Sequence, residues 1–304
     1  MLIRHPAPPL QHGDDVVTVA ASSALADGEA LAQGLQLLES WGLHCRPSAV
    51  VGRHWGYLAG IDSERRSDLL PEGPSPLLAC ARGGWGAARL IEQPMPWQPG
   101  WLLGFSDVTA LLWSRLAAGF GGNVHGPLLT TLATEPSWSC ERLRDLLFGK
   151  PVQDLKGTGW GGGSATGPLI VGNLTVATHL LGSRHVPNLN GAILIFEDVG
   201  EEPYRIDRML THWRLCGALQ RVAAIGFGAF QNCNDDDRPD TLRFNLEQVL
   251  RERTADLAIP LVADLPLGHR PGNAALPLGQ MARLDGQRGQ LSLLASAEAP
   301  LQPR

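Results

Sequence analysis

The stretch Trp101-Leu102-Leu103-Gly104-Phe105-Ser106-Asp107-Val108-Thr109-Ala110-Leu111 decides the fold. Apolar residues run from Trp101 to Phe105, a serine breaks the run, and Val108 to Leu116 then follows with the spacing of an amphipathic helix. A strand that turns sharply into a helix at a serine is the geometry of a nucleophile elbow. Such an elbow exposes the hydroxyl and sets backbone N–H groups of the helix start beside it. That arrangement suits acyl transfer. An ordinary N-cap serine is the competing reading, and the second glycine usual after an elbow serine is absent, Thr109 standing two residues beyond Asp107.

Upstream, Val16 to Ala20 is a β-branched run, and Glu29 to Trp41 places Leu31, Leu35 and Leu38 on one helical face before Gly42. A second unit of the same kind starts with Leu77 to Ala81, passes through the glycine-rich Arg82 to Gly86 and continues into Ala87 to Ile91. The serine unit is the third. Strands alternating with helices imply a parallel sheet covered on both faces, with ligands bound at the carboxyl ends of its strands. The Gly83-Gly84 turn and Ser106 both fall on such ends.

A chain of 304 residues exceeds the usual span of one hydrophobic core, so two domains are expected. From Phe148 to Pro168 the glycines Gly157, Gly159, Gly161, Gly162, Gly163 and Gly167 crowd a stretch with little apolar periodicity, which reads as a linker or a long crossover between domains. The expected division is therefore an N-terminal domain over 1–147, a glycine-rich linker over 148–168 and a C-terminal domain over 169–304. Within the last, Ala192 to Phe196 reads as a buried strand, Pro203 to Gly217 as a helix with Ile206, Leu210 and Trp213 inward, and Ala223 to Phe227 as another strand. Ala282 and Leu284, then Leu291 and Leu293 across Asp285-Gly286, suggest a closing hairpin.

With 44% apolar and 18% charged residues the chain has an ordinary globular composition. Its formal charge of −5, with 25 basic against 30 acidic residues and no basic stripe, argues against a nucleic-acid partner. No apolar run is long enough for a membrane span, and Met1 to Asp15 lacks the apolar core of a signal peptide. Cys45, Cys80, Cys140, Cys216 and Cys233 are scattered, odd in number and without C-x-x-C spacing, so neither disulfides nor structural zinc are expected. A cytoplasmic setting follows from these readings.

A serine at its own pKa is a poor nucleophile, and it needs a base that a third group orients. Among nine histidines, His269 stands on a loop after the apolar run Ile259 to Ala263. For the acid, Glu197 follows the buried strand, where a carboxylate is costly unless paired; Asp198, Glu201, Glu202 and Asp207 compete, and the residues alone leave Glu197 and Asp198 open. Elbow geometry makes the backbone N–H of Asp107 one oxyanion donor, with Gly84 the choice for the other. The Gly83-Gly84 pair also reads as a plain tight turn; a phosphate cradle is disfavoured because the P-loop lysine is missing.

Six segments then stand in one order: Gly56-Tyr57-Leu58-Ala59-Gly60-Ile61-Asp62; Ala81-Arg82-Gly83-Gly84-Trp85-Gly86; Gly104-Phe105-Ser106-Asp107-Val108-Thr109-Ala110-Leu111; His125-Gly126-Pro127; Glu197-Asp198-Val199 with Tyr204-Arg205-Ile206-Asp207-Arg208-Met209-Leu210; and Gly268-His269 with Asn273 and Leu276-Pro277-Leu278-Gly279. In this order the chain resembles the LD-carboxypeptidases, which include murein tetrapeptide carboxypeptidases and microcin C immunity peptidases, from about residue 16 to residue 280. The resemblance implies a Ser–Glu–His triad of Ser106, Glu197 and His269, with the serine in one domain and the other two in the next. It implies an N-terminal α/β domain, a C-terminal β-rich α+β domain, a homodimer, and no metal or other cofactor. The implied substrate is a small murein peptide, the tetrapeptide ending in diaminopimelate and D-alanine, met in peptidoglycan recycling.

A carboxypeptidase must grip a free carboxylate, for which an arginine fork suits better than lysine. Arg82, Arg205 and Arg270 are the candidates, with Arg208 nearby and Trp85 as a pocket wall; Arg205 and Arg208 also read as a solvated helix face, and Trp85 as a packing anchor of its turn. Ala21-Ser22-Ser23 stands where the family shows a proline-serine pair, and Val171-Gly172-Asn173-Leu174 where it shows a double glycine. These departures bear on substrate preference. A microcin-immunity type peptidase acting on peptidyl or aminoacyl nucleotides, and an inactive binding protein of the same fold, are the alternatives.

Overall fold

The structure is a computed structural model that describes residues 3–234, 239 and 243–295. Its strands are β1 (Asp15–Val19), β2 (His44–Cys45), β3 (Leu77–Cys80), β4 (Trp101–Gly104), β5 (Asn123–His125), β6 (Leu155–Lys156) and β7 (Thr158–Gly161). They continue with β8 (Ser164–Asn173), β9 (Ile193–Val199), β10 (Ala224–Gln231), β11 (Leu261–Ala263), β12 (Leu276–Leu278), β13 (Met281–Asp285) and β14 (Gln290–Leu293). The helices are α1 (Glu29–Ser40), α2 (Asp62–Asp68), α3 (Thr109–Ala117), α4 (Leu129–Leu132), α5 (Ser137–Leu147), α6 (Leu174–Leu180), α7 (Pro203–Leu215) and α8 (Leu246–Thr254). Among the described residues, no helix is long and apolar enough to cross a membrane.

Contacts divide the chain into two units: Met1–Val152 with Gly182–Pro187 and Pro271–Leu278, and Gln153–Leu181 with Asn188–Arg270 and Gly279–Arg304. The first is an α/β unit built on a sheet of order β12-β5-β4-β3-β1-β2, parallel except for β12. All four residues of β3 are buried, as expected of a parallel strand covered on both faces. The run after the serine is not amphipathic as its spacing suggested: every residue of α3 from Thr109 to Leu116 is buried. Its polar members are satisfied inside. Arg115 donates to Gln98 O (2.7 Å), Gly100 O (2.8 Å) and Asn123 Oδ1 (3.0 Å), with burial pushing its guanidinium down to about 10, and Ser114 Oγ meets His185 Nδ1 at 2.9 Å.

The second unit is β-rich, a sheet of order β6-β14-β13-β8-β9-β10-β11-β7 with a parallel centre from β8 to β11 and antiparallel flanks. The closing hairpin forms with Ala282 opposite Leu293 and Leu284 opposite Leu291. Helix α7 buries Ile206, Leu210 and Trp213 as its periodicity predicts.

Two expectations need correction. The stretch 148–168 is not a linker: it holds β6, β7 and the start of β8. Its glycines are there because backbones approach closely. A Cβ on Gly157 would sit 2.2 Å from Ala263 O, one on Gly159 2.4 Å from Gly286 O, and one on Gly167 2.0 Å from Gly191 O. Nor does the chain divide at one point, because residues 271–278 return to the first unit. There Gly272 N–H and Asn273 N–H donate to Glu135 Oε2 at 2.7 and 3.0 Å, and β12 adds an antiparallel edge to β5. Pro277 is tolerated on that edge because its missing N–H faces no further strand.

Candidate active site

Strand β4 ends at Gly104, Phe105 is extended (φ −150°, ψ −170°), and Ser106 then takes φ +63° as the first residue of a 3₁₀ turn leading into α3. A left-handed non-glycine residue costs about 1–3 kcal/mol and persists only where its surroundings enforce it. Here they do. Phe105 packs edge-on against His125 (5.6 Å between centroids), and a Cβ on Gly104 would come within 2.8 Å of Val108 Cγ1. Gly83 lies against the serine itself: a Cβ there would be 3.0 Å from Ser106 Cβ and 3.1 Å from its Oγ. The half-buried serine is thus held by backbone shape, in the elbow conformation its sequence context suggested.

The turn from Gly83 to Gly86 is more than a tight turn. Gly84 has φ +110°, and a Cβ on it would strike Ser23 Oγ at 2.3 Å; that hydroxyl accepts the Trp85 N–H at 3.1 Å. Ser23 therefore anchors the turn. Asp107, 1% exposed, accepts the Ala87 N–H on Oδ2 at 2.8 Å and caps the 3₁₀ helix Ala87–Ile91; burial raises its carboxyl, and that hydrogen bond works against the rise. Beneath the turn lies Arg65, fully buried. It donates to Ala21 O, to Gly86 O (2.9 Å) and to Asp62 Oδ1 (2.5 Å). Sequence reasoning missed Arg65, since beside Arg66 it reads as one of two solvated helix cations.

In the second unit, Glu197 and His269 meet. His269 lies on the loop after β11, and its Nδ1 stands 2.7 Å from Glu197 Oε2. Glu197 is 0% exposed within β9; burial raises its carboxyl, and the contact with His269 pulls it back down. With Nδ1–H donated to the carboxylate, Nε2 carries the imidazole's acceptor lone pair. Gly268 makes the approach possible. It has φ +110°, and a Cβ would sit 3.0 Å from Glu197 Cβ and 3.1 Å from Oε2.

Asp198, which competed with Glu197 in the sequence, points the other way along the alternating strand. It accepts from Asn173 Nδ2 (2.9 Å), Thr175 N (2.9 Å), Thr175 Oγ1 (2.8 Å) and Val199 N (2.8 Å). Asn173, in the altered glycine motif, accepts Val176 N–H at 3.0 Å and caps α6. Glu197 and Asp198 are therefore told apart by contact, not by residue type. Strand β9 does not stop at Phe196 but runs on to Val199, which is why both carboxylates are buried.

The remaining candidates divide. Arg82 Nη1 donates to Ala24 O at 2.8 Å, tying its turn to the loop after β1. Arg205 approaches Glu201 (3.7 Å) and Glu202 (3.3 Å) and stacks on Tyr204, as does Arg208, which fits the solvated helix face. Trp85 is 46% exposed, so it does not anchor its turn by packing. Arg270 is exposed; its guanidinium donates to Leu265 O at 3.3 Å and its backbone N–H to Gly268 O at 2.9 Å. Among the described residues no three or more His, Cys, Asp or Glu gather where a metal could be held.

A strained elbow serine and a histidine oriented by a buried carboxylate are parts used by acyl-transfer hydrolases. The chain belongs to the LD-carboxypeptidase family: residues 16–126 match the family's N-terminal domain and residues 166–284 its C-terminal domain. It is 47% identical over 293 residues to a Synechocystis sp. protein named only as a carboxypeptidase, covering 94% of this chain and 96% of that one. It is 33% identical to the murein tetrapeptide carboxypeptidase of Pseudomonas aeruginosa, over 90% of this chain and 94% of the relative. The fold matches that of the microcin C7 self-immunity protein MccF bound to glutamyl sulfamoyl guanosine, with TM-score 0.83, 21% identity, and 96% and 98% of the two chains covered. It also matches a muramoyltetrapeptide carboxypeptidase from Oxalobacter formigenes, with TM-score 0.80, 24% identity, and 92% and 97% covered.

Proposed function

We propose that the protein is a serine-type LD-carboxypeptidase that releases D-alanine from the murein tetrapeptide, with Ser106, Glu197 and His269 as its triad. The observation that carries this reading is the 2.7 Å pairing of His269 Nδ1 with the fully buried Glu197, which fixes a tautomer fit to take a proton at Nε2. Ser106 Oγ attacks the carbonyl joining the L-centre to D-alanine as His269 Nε2 takes its proton. The oxyanion is stabilised by the N–H groups of Asp107 and Gly84. Collapse expels D-alanine, whose nitrogen receives the proton from His269; water, activated by the same base, then hydrolyses the acyl-enzyme and frees Ser106. Among the named relatives, the Pseudomonas enzyme supports the murein substrate. Peptidoglycan recycling in the cytoplasm, by a homodimer, completes the proposal.

The test offers purified protein two substrates, the murein tetrapeptide and an aminoacyl sulfamoyl adenosine, with wild type and Ser106→Ala side by side. Serine-dependent release of D-alanine supports the reading. Turnover of the nucleotide alone would assign the chain to immunity-type peptidases, and no serine-dependent hydrolysis of either would make it a binding protein. Light scattering of the same sample reads the oligomeric state.

A further inference from the structure

Within the first unit, both peptide groups that flank Gly84 are tied to one residue. Ser23 N–H donates to Gly83 O at 3.3 Å, and Ser23 Oγ accepts the Trp85 N–H at 3.1 Å. The two residues also touch, since a Cβ on Gly84 would come within 2.3 Å of Ser23 Oγ and 2.8 Å of Ser23 Cβ. Gly83 O and Gly84 N–H belong to a single peptide group. A trans peptide is planar and sends its C=O and N–H in opposite directions, so holding Gly83 O toward Ser23 turns the Gly84 N–H away from it. Gly84 is exposed, and its N–H donates to no described residue. It is therefore open to an oxygen from outside the chain.

Ser23 is itself held by backbone. It bridges Leu58, while Ser22 O accepts the Ala59 N–H at 2.9 Å and Ala24 N–H donates to Tyr57 O at 3.0 Å. The same short loop receives other ties of the glycine turn: Arg82 Nη1 reaches Ala24 O at 2.8 Å, and the buried Arg65 donates to both Ala21 O and Gly86 O. Backbone pairing would keep residue 23 in place whatever its side chain. What the hydroxyl adds is its bond to Trp85 N–H, which stops an exposed, conformationally free glycine from swinging the peptide groups around it.

We propose that Ser23 is a positioning residue for acyl transfer, clamping the peptide groups on both sides of Gly84 so that the Gly84 N–H is aimed before the oxyanion forms. The inference rests on the reading of Gly84 as an oxyanion donor in a serine carboxypeptidase. A preorganised donor acts on charge that develops in the transition state, so loosening it lowers kcat and leaves ground-state binding alone. Loss of a whole oxyanion donor costs about 10²–10³-fold in kcat; Ser23→Ala keeps the donor and the tie to Gly83 O, and should cost about 10-fold.

The test measures kcat and KM for D-alanine release by wild type, Ser23→Ala and Ser23→Thr. Beside them it measures the affinity of a peptidyl boronate, which forms a tetrahedral adduct on the serine oxygen, and of the product tripeptide. Ser23→Ala should lower kcat about 10-fold with KM within about twofold, weaken the boronate by the same factor as kcat, and leave tripeptide binding unchanged. Ser23→Thr, which keeps the acceptor, should recover most of kcat. If Ser23→Ala does not fold, Ser23→Cys takes its place, because sulfur fills the position but accepts a hydrogen bond weakly. An unchanged kcat, a rise in KM alone, or a loss of kcat that the boronate does not follow and threonine does not restore overturns the role of Ser23 while the carboxypeptidase reading stands. If wild type shows no serine-dependent hydrolysis, both fall.

Discussion

The serine turn in the first unit and the Glu197–His269 pair in the second hold their side chains by different means. Ser106 is placed by backbone: a left-handed residue between an extended Phe105 and a buried helix, with Gly83 and Gly104 clearing space around it. His269 is placed by a side-chain hydrogen bond to a carboxylate that burial makes costly to ionise. The first arrangement stores steric strain and the second electrostatic strain. Both take from stability what they give to geometry.

The widest test of that contrast is the serine itself. Ser106→Ala should lower kcat by about 10⁴-fold or more while leaving the thermal midpoint nearly unchanged, because alanine suffers the same left-handed backbone. Ser106→Gly should be equally inactive yet more stable by about 1 kcal/mol, since glycine relieves the strain. Calorimetry of the two variants decides whether the strain is steric; equal midpoints would argue that it is not.

Next in size is Glu197→Gln, expected to cost about 10²–10⁴-fold in kcat, measured in the D-alanine release assay. Its stability signature carries a sign. A carboxyl raised in the fold favours folding while protonated, below its unfolded value of about 4.3, and that advantage is lost as pH rises through the higher folded value. The glutamine variant has nothing to lose. Its thermal midpoint should therefore gain on wild type as pH climbs from 4 toward 8, and a pH-independent difference would show that Glu197 is not held under this strain.

The glycines sharpen the comparison further. Gly83→Ala presses on the serine side chain and touches Asp107 N at 3.7 Å, and should cost about 10-fold in kcat with little loss of stability, whereas Gly268→Ala adds a left-handed strain and should also destabilise by about 1–3 kcal/mol. Denaturant titrations beside steady-state rates separate the two. Smallest is Asp107→Ala, expected to lose about 1–2 kcal/mol with the cap on Ala87, against a fraction of that for Asp107→Asn, which keeps an acceptor.

Much of the first unit was legible because its signals are local. Leucine spacing marks α1, and an apolar run broken at a serine marks the elbow. The glycine-crowded stretch misled for the opposite reason: glycine density looks the same in slack chain as in strands whose backbones touch, and only the partner strand tells them apart. The return of residues 271–278 to the first sheet had no local signal at all, since its partners, Glu135 and β5, lie more than a hundred positions away.

Composition, periodicity and motif order were enough for an α/β and a β-rich region, a strained serine turn and a short list of acids, because these follow from forces acting within a few residues. Tertiary structure alone decided that Glu197 faces His269 while Asp198 accepts from Asn173 and Thr175 at the start of α6, that Arg65 is buried under the glycine turn, and that Arg270 and Asp264 stand beside an aromatic cavity. Each of those outcomes depends on which distant atom supplies a partner, and the free energy of a buried charge is set by that partner far more than by the identity of the residue that bears it.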